Sequence, residues 1–270
     1  MVNRNLIYDI GMHKGCDATF YLLKGFNVVA VEANEELVRT VSPYLENMVL
    51  EGRLRIVSKA ITEDGGAATL RIFDKKDDWG TIVDGWNESM EQSDKEVVVG
   101  GTTIDRLIKQ YGMPYYMKID IEGSDIICLK QLFHHNERPT YISVELLTPN
   151  NLGREAECMD ILCHLKALGY NRFYVADQSK NESIICPYPS IEGKFKSYKF
   201  DGHCSGLFGE ELQGEWYDID TISKMYLEYF KGYKKQGKLM RKINSIWRRL
   251  FPSPTPFHRE GWFDVHAKRV

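Results

Sequence analysis

The sequence predicts an α/β protein built on a mostly parallel sheet with helices on both faces. Three observations carry this expectation. Apolar runs of strand length recur with helical segments between them, the pattern of a parallel sheet covered on both sides. A strand at 6–10 runs directly into the glycine-punctuated turn Gly11-Met12-His13-Lys14-Gly15. A second strand, Asn27–Glu32, ends in an acid.

The elements follow in order. A helix at 16–24 offers Phe20 and Leu23 to the core and stops at Gly25. The next starts near Asn34 and carries Leu37, Val38, Val41 and Leu45 at helical spacing, leading to a strand at 54–57. Two further strands, at 67–73 and 96–99, flank a polar loop with Trp79-Gly80-Thr81 and Trp86, a lid-like insertion at 74–96. A helix at 102–111 is capped by Thr102 or Thr103, and a strand at 115–120 follows. Helix Asp125–Leu132, a strand at 140–145, a helix at 155–168 and a strand at 172–176 continue the alternation, and 221–231 reads as a short helix. A seventh strand is expected between Ile184 and Gly209. The chain thus reads as a domain over 1–210 and a helical, basic extension over 211–270 that packs on it.

A chain of 270 residues buries one sizeable core, and a net charge of −3 argues against nucleic acid as a partner. The basic stretch 231–249, with Trp247 among its apolar positions, reads as a helix packed on the domain, with anionic membrane contact as the lesser alternative. Pro252, Pro254 and Pro256 exclude regular structure just after it. Six scattered cysteines without a Cys-x-x-Cys pair read as reduced thiols, and with no signal peptide or apolar span the expected location is cytoplasmic.

The loop chemistry narrows the ligand. Gly11 lets backbone approach a cofactor, Gly15 lets the helix pack on its strand, and Glu32 can accept hydrogen bonds from a ribose diol. A dinucleotide loop has three glycines around a pyrophosphate. Here Asp9 replaces the first of them, and its carboxylate repels phosphate but can orient a cationic amino-acid group. The exchange favours S-adenosylmethionine over NAD.

Four ordered motifs then carry a resemblance: Asp9-Ile10-Gly11-Met12-His13-Lys14-Gly15, Val31-Glu32-Ala33-Asn34, Thr103-Ile104-Asp105, and Lys118-Ile119-Asp120-Ile121-Glu122-Gly123 followed by Asp125. Together they resemble the FkbM family of S-adenosylmethionine-dependent methyltransferases over about residues 6–146. The family pattern has Asn where His13 stands and Pro where Ala33 stands. The resemblance implies a Rossmann-like class I methyltransferase fold with a seven-stranded, mostly parallel sheet and a C-terminal extension. It places S-adenosylmethionine against Asp9, Gly11, Met12, His13, Gly15, Glu32, Ala33, Ser58, Lys59, Ala60 and Asp120. Candidates for the base are Asp120, Glu145 and His13, and candidates for acceptor contact are Trp79, Thr81, Glu122 and His203. His13, Glu122 and His203 also have plain readings as loop or capping residues. Asp120 and Glu145 end neighbouring strands, so their carboxylates can share a substrate proton or bind a divalent metal; spacing fixes no third ligand, and the metal is the lesser alternative. The implied reaction is O-methylation of a sugar, glycan or related metabolite; a non-sugar acceptor, or a cofactor-binding module without catalysis, are the alternatives.

Overall fold

The chain order begins β1 (Asn3–Ile10), α1 (Cys16–Leu23), β2 (Asn27–Glu32), α2 (Glu35–Leu50) and β3 (Leu54–Ser58). It continues through β4 (Ala60–Ile61), β5 (Ala68–Ile72), β6 (Lys95–Val99), β7 (Gly101–Thr102) and α3 (Ile104–Tyr111). Then come β8 (Pro114–Ile119), α4 (Asp125–Leu132), β9 (Tyr141–Leu146), α5 (Glu155–Ala167), β10 (Arg172–Asp177), α6 (Ile219–Lys234) and β11 (Phe263–Lys268). The computed structural model describes residues 1–73, 80–83, 95–146, 155–202, 204–234 and 262–270. Trp79, Trp86, His203, most of the basic stretch and the proline segment lie outside the described residues.

Local signals act where the sequence puts them. The Asn34 side chain caps α2 by accepting from the Glu36 amide at 3.0 Å, and the Thr103 hydroxyl caps α3 by accepting from Arg106 N at 3.1 Å. α6 runs longer than the short helix expected there.

The seven-stranded sheet has the order β10-β11-β9-β8-β1-β2-β3, parallel except for β11, which runs antiparallel to both neighbours. Alternate side chains leave opposite faces. Tyr8, Ile10 and Val29 pack with α3–α6 on one face, while Ile7, Val28, Ala30 and Tyr116 pack with α1 and α2 on the other. On that second face the loops supply Cys186, Phe200, Leu207 and Phe208, the last stacked on Tyr116 at 4.6 Å. Beside the main sheet, β5 and β6 form an antiparallel hairpin and β4 pairs with β7.

The structure corrects the seventh strand. It is β11, inserted between β9 and β10, and not a segment between Ile184 and Gly209. The last residues of the chain are therefore part of the central sheet. Asp264 and His266 alternate with Phe263, Val265 and Ala267, which in a sequence reads as a strand with one wet face. Yet Asp264 and His266 are as buried as their apolar neighbours.

The thiols are corrected as well. Cys16 and Cys204 form a disulfide with a Cα–Cα distance of 5.6 Å across 188 residues of sequence. No local spacing signals such a pair, because only the fold brings the start of α1 beside the 198–205 segment. There the Asp17 carboxylate also accepts from Ser205 N, at 2.9 and 3.0 Å. Closing so long a loop restricts the unfolded chain, so Cys204→Ala is expected to cost about 2–4 kcal/mol. Thermal melts with and without dithiothreitol check this: the reductant should lower the wild-type midpoint and leave the variant's unchanged.

Candidate active site

The site lies at the carboxyl ends of β1, β2, β8 and β9, the crevice where open α/β sheets bind ligands. Two loops build it. After β1, Gly11 and Met12 donate their amides to Val31 O at 3.0 and 2.9 Å, which holds the loop against β2. Glu32, at the end of β2, accepts from His13 N and Asn34 N, each at 2.8 Å. Burial pushes its carboxyl up, while these amides pull it down. Ser58 is paired with Glu32 across the β2–β3 register. Next along the chain, Ala60 donates to Gly100 O at 2.9 Å.

The second loop, after β8, is held from below and above. Asp125 accepts from Ile121 N and Gly123 N at 3.2 and 3.1 Å, and Thr81 Oγ1 donates to Glu122 O at 2.7 Å. Burial and then Asp120 push the Asp125 carboxyl up to about 6. His13 and Glu122 both have left-handed backbone, φ 49° and 50°. Non-glycine residues held there cost about 1–3 kcal/mol each, and such strain clusters at functional sites.

Where the loops meet, Gly11 cannot be any other residue. A Cβ built on it would stand 1.8 Å from the Asp120 carbonyl oxygen. Beneath that contact sits Lys118, 4% exposed. Its ammonium donates to Gly11 O at 2.9 Å and pairs with Asp9 and Asp120 at 3.4 Å and Asp17 at 3.6 Å. Burial by itself would lower the Lys118 pKa, but Asp9, Asp120 and Asp17 outweigh it and hold the ammonium charged. One positive charge therefore serves three carboxylates. Asp9 is fully buried, neither of its oxygens has a hydrogen-bond partner, and burial pushes its carboxyl up to about 7.

The sequence-predicted candidates separate into two groups. Asp120, Glu122 and Glu145 come together, with one oxygen of each within 4.8 Å of the others. Burial, then Glu122 and Asp120, push the Glu145 carboxyl well above the ordinary range. The third ligand-type group that spacing left unfixed is thus Glu122. His13 stands apart from that trio and is tied by its amide to Glu32. Lys118, Asp17 and Asp264 have no role in the sequence reading. The available signal was the same in two of them: a charged side chain in the middle of an apolar strand, Met117-Lys118-Ile119 and Phe263-Asp264-Val265.

Such a site, with a glycine loop, an acid ending β2 and excess negative charge under the loop, defines an α/β enzyme for an adenosine cofactor with a cationic tail. The family model for the methyltransferase FkbM domain matches residues 9–172. The chain belongs to the FkbM methyltransferase family, and its methyl donor is S-adenosylmethionine. The residues fit that donor: the Asp9 carboxyl, which makes no hydrogen bond and shares the Lys118 ammonium with two other aspartates, suits a cation, and the Gly11 cradle leaves room for close approach.

Among solved structures the chain is similar to the C-terminal domain of precorrin-6Y C5,15-methyltransferase from Rhodobacter capsulatus, with 15% identity and a TM-score of 0.38 over 64% of this chain and 66% of that one. It spans just under two thirds of that structure. A putative rRNA-methylase from Clostridium thermocellum aligns at 11% identity and TM-score 0.37, covering 65% of this chain and 78% of that one. Precorrin-6y C5,15-methyltransferase from Geobacter metallireducens GS-15 aligns at 8% identity and TM-score 0.37, covering 100% and 82%. No curated protein matches the chain.

The charge balance predicts a proton linkage. Asp9 holds its proton up to about pH 7 in the folded protein; an unfolded aspartate does so only to about pH 4. The stability this contributes is full below the unfolded value and is lost as pH rises through the folded one. A cofactor cation reverses the preference, so S-adenosylhomocysteine, through its ammonium, should bind more tightly at pH 8 than at pH 6 with release of a proton. Isothermal titration near pH 7 in buffers of different ionisation heat measures this, and Asp9→Asn should abolish the buffer dependence; a dependence that persists would assign the proton elsewhere.

Proposed function

We propose that the protein is an O-methyltransferase acting on a hydroxyl of a sugar, glycan or related metabolite. The observation that supports the reading best is the convergence of Asp120, Glu122 and Glu145 at the mouth of the cofactor crevice. An acceptor hydroxyl needs groups that orient it by hydrogen bonds and one that takes its proton as the oxygen attacks. Carboxylates do both, and a polyhydroxylated acceptor offers them several donors. S-adenosylmethionine, when bound, supplies an electrophilic methyl group. In this reading Asp9 and Glu32 hold the donor, Asp120 spans donor and acceptor sides, and Asp120 or Glu145 receives the hydroxyl proton at a carboxylate oxygen. Thr81, through Glu122 O, couples the insertion to the acceptor loop. Trp79 and His203 complete the proposed acceptor contacts.

No helix among the described residues is long and apolar enough to cross a membrane. The proposal places the protein in the cytoplasm, where its donor is made.

The test is transfer of labelled methyl from S-adenosylmethionine to a panel of saccharides, with Asp120→Ala alongside. The expected outcome is methyl ether formation by the wild type. Asp120→Ala should still bind S-adenosylhomocysteine, though more weakly, and lose about 10²–10⁴ in turnover. Methyl recovered on nitrogen or on a non-sugar acceptor, or full turnover by Asp120→Ala, would overturn the reading.

A further inference from the structure

We infer that Asp120, Glu122 and Glu145 bind a divalent cation of the magnesium or manganese class, with Asp264 as its outer-sphere partner. The three oxygens within 4.8 Å of one another come from three separately held places: the end of β8, the strained loop pinned by Thr81 and Asp125, and the end of β9. Oxygens that share one hard cation at about 2.0–2.6 Å lie at such separations. An all-carboxylate set selects hard cations over zinc or copper.

The second, independent observation is on β11. Asp264 stands directly opposite Glu145 in the antiparallel register, so both carboxylates leave the same face of the sheet. Asp264 is 1% exposed, and its Oδ1 has no hydrogen-bond partner. A carboxylate oxygen buried in that way is costly unless a positive charge stands near it. The nearby Lys118 ammonium is already divided among Asp9, Asp17 and Asp120. S-adenosylmethionine adds one net positive charge, and it arrives on the Asp9 side. A divalent cation on the Glu145 side would offset part of the negative charge that remains there.

For its task the ion depends on the hydroxyl-methylation reading: it would bind the acceptor oxygen and make its proton easier to lose to a carboxylate oxygen of the site. Acceptors with two adjacent oxygens, such as vicinal diols, are the class that chelates it.

The experiment is a titration of the full-length protein with Mn²⁺, in the presence of S-adenosylhomocysteine and without acceptor, following the free-ion electron paramagnetic resonance signal. The expected result is one saturable site that Mg²⁺ competes for. Glu122→Gln and Glu145→Gln should each weaken it about tenfold or more, and Asp264→Asn to a smaller degree, with binding of S-adenosylhomocysteine retained as the control for folding. Wild-type protein that binds S-adenosylhomocysteine but shows no saturable Mn²⁺ site, or a site that neither glutamine variant weakens, would overturn the inference. Since no acceptor is present, that failure would leave the hydroxyl reading standing, and a failed acceptor screen would leave the manganese result standing.

Discussion

Lys118→Met should be among the most destabilising single changes in this protein, costing about 3–5 kcal/mol, because it removes the cation from a buried cluster and leaves the carboxylates in place. Asp9 and Asp17 are 0% and 3% exposed, so water cannot take over the ammonium's role. The loss also frees Gly11 O, which Lys118 bonds at 2.9 Å, and so loosens the cofactor loop from β8. Without the ammonium, Asp9 and Asp17 would hold their protons to higher pH. The deficit relative to wild type should therefore be smaller at pH 5 than at pH 8. Chemical denaturation at both pH values measures it, and Lys118→Arg, which restores charge in a larger shape, should recover only part. Equal deficits at the two pH values would mean that lost packing, not lost charge, dominates.

Gly11→Ala should abolish cofactor binding and lower the thermal midpoint. The new methyl group would need the space of the Asp120 carbonyl, at 1.8 Å, and a φ of +90° that an L-residue rarely adopts. Backbone cannot rotate away as a flexible side chain can. The Asp120 amide is bonded to Ile10 O at 2.9 Å, so moving the carbonyl also breaks the junction of β1 and β8. We expect about 2–4 kcal/mol of lost stability and no detectable S-adenosylhomocysteine binding by isothermal titration. Wild-type affinity in the variant would show that the loops tolerate separation and that the close contact is incidental.

Much of the cofactor half was legible in the sequence because it rests on local chemistry. Glu32, Asn34 and Thr103 are explained by residues within a few positions, a strand end or a cap, and Gly11 and Gly15 announce a turn, although what makes Gly11 obligatory is the Asp120 carbonyl from the other loop. The FkbM motifs placed Asp120 and Glu122 on one loop for the same reason. The acceptor half was less legible. Glu145 is separated from Asp120 by a helix and a strand, and its convergence with Glu122 depends on a left-handed backbone that sequence alone does not declare. Strand β11 fell outside the expected region because Asp264 and His266 do not read as core residues, although they are 1% and 2% exposed.

Residue order alone sets the alternation of strands and helices, the loop after the first strand and the donor it takes. These follow from periodicity, glycine and capping chemistry acting over a few residues. Folding alone brings other groups together: Cys16 with Cys204, Lys118 with three aspartates, Asp264 beside Glu145. Those contacts span from two to nearly two hundred residues, and most are set by strand order and register. A side chain's local neighbours carry no record of that order, because it is chosen by burying two sheet faces at once.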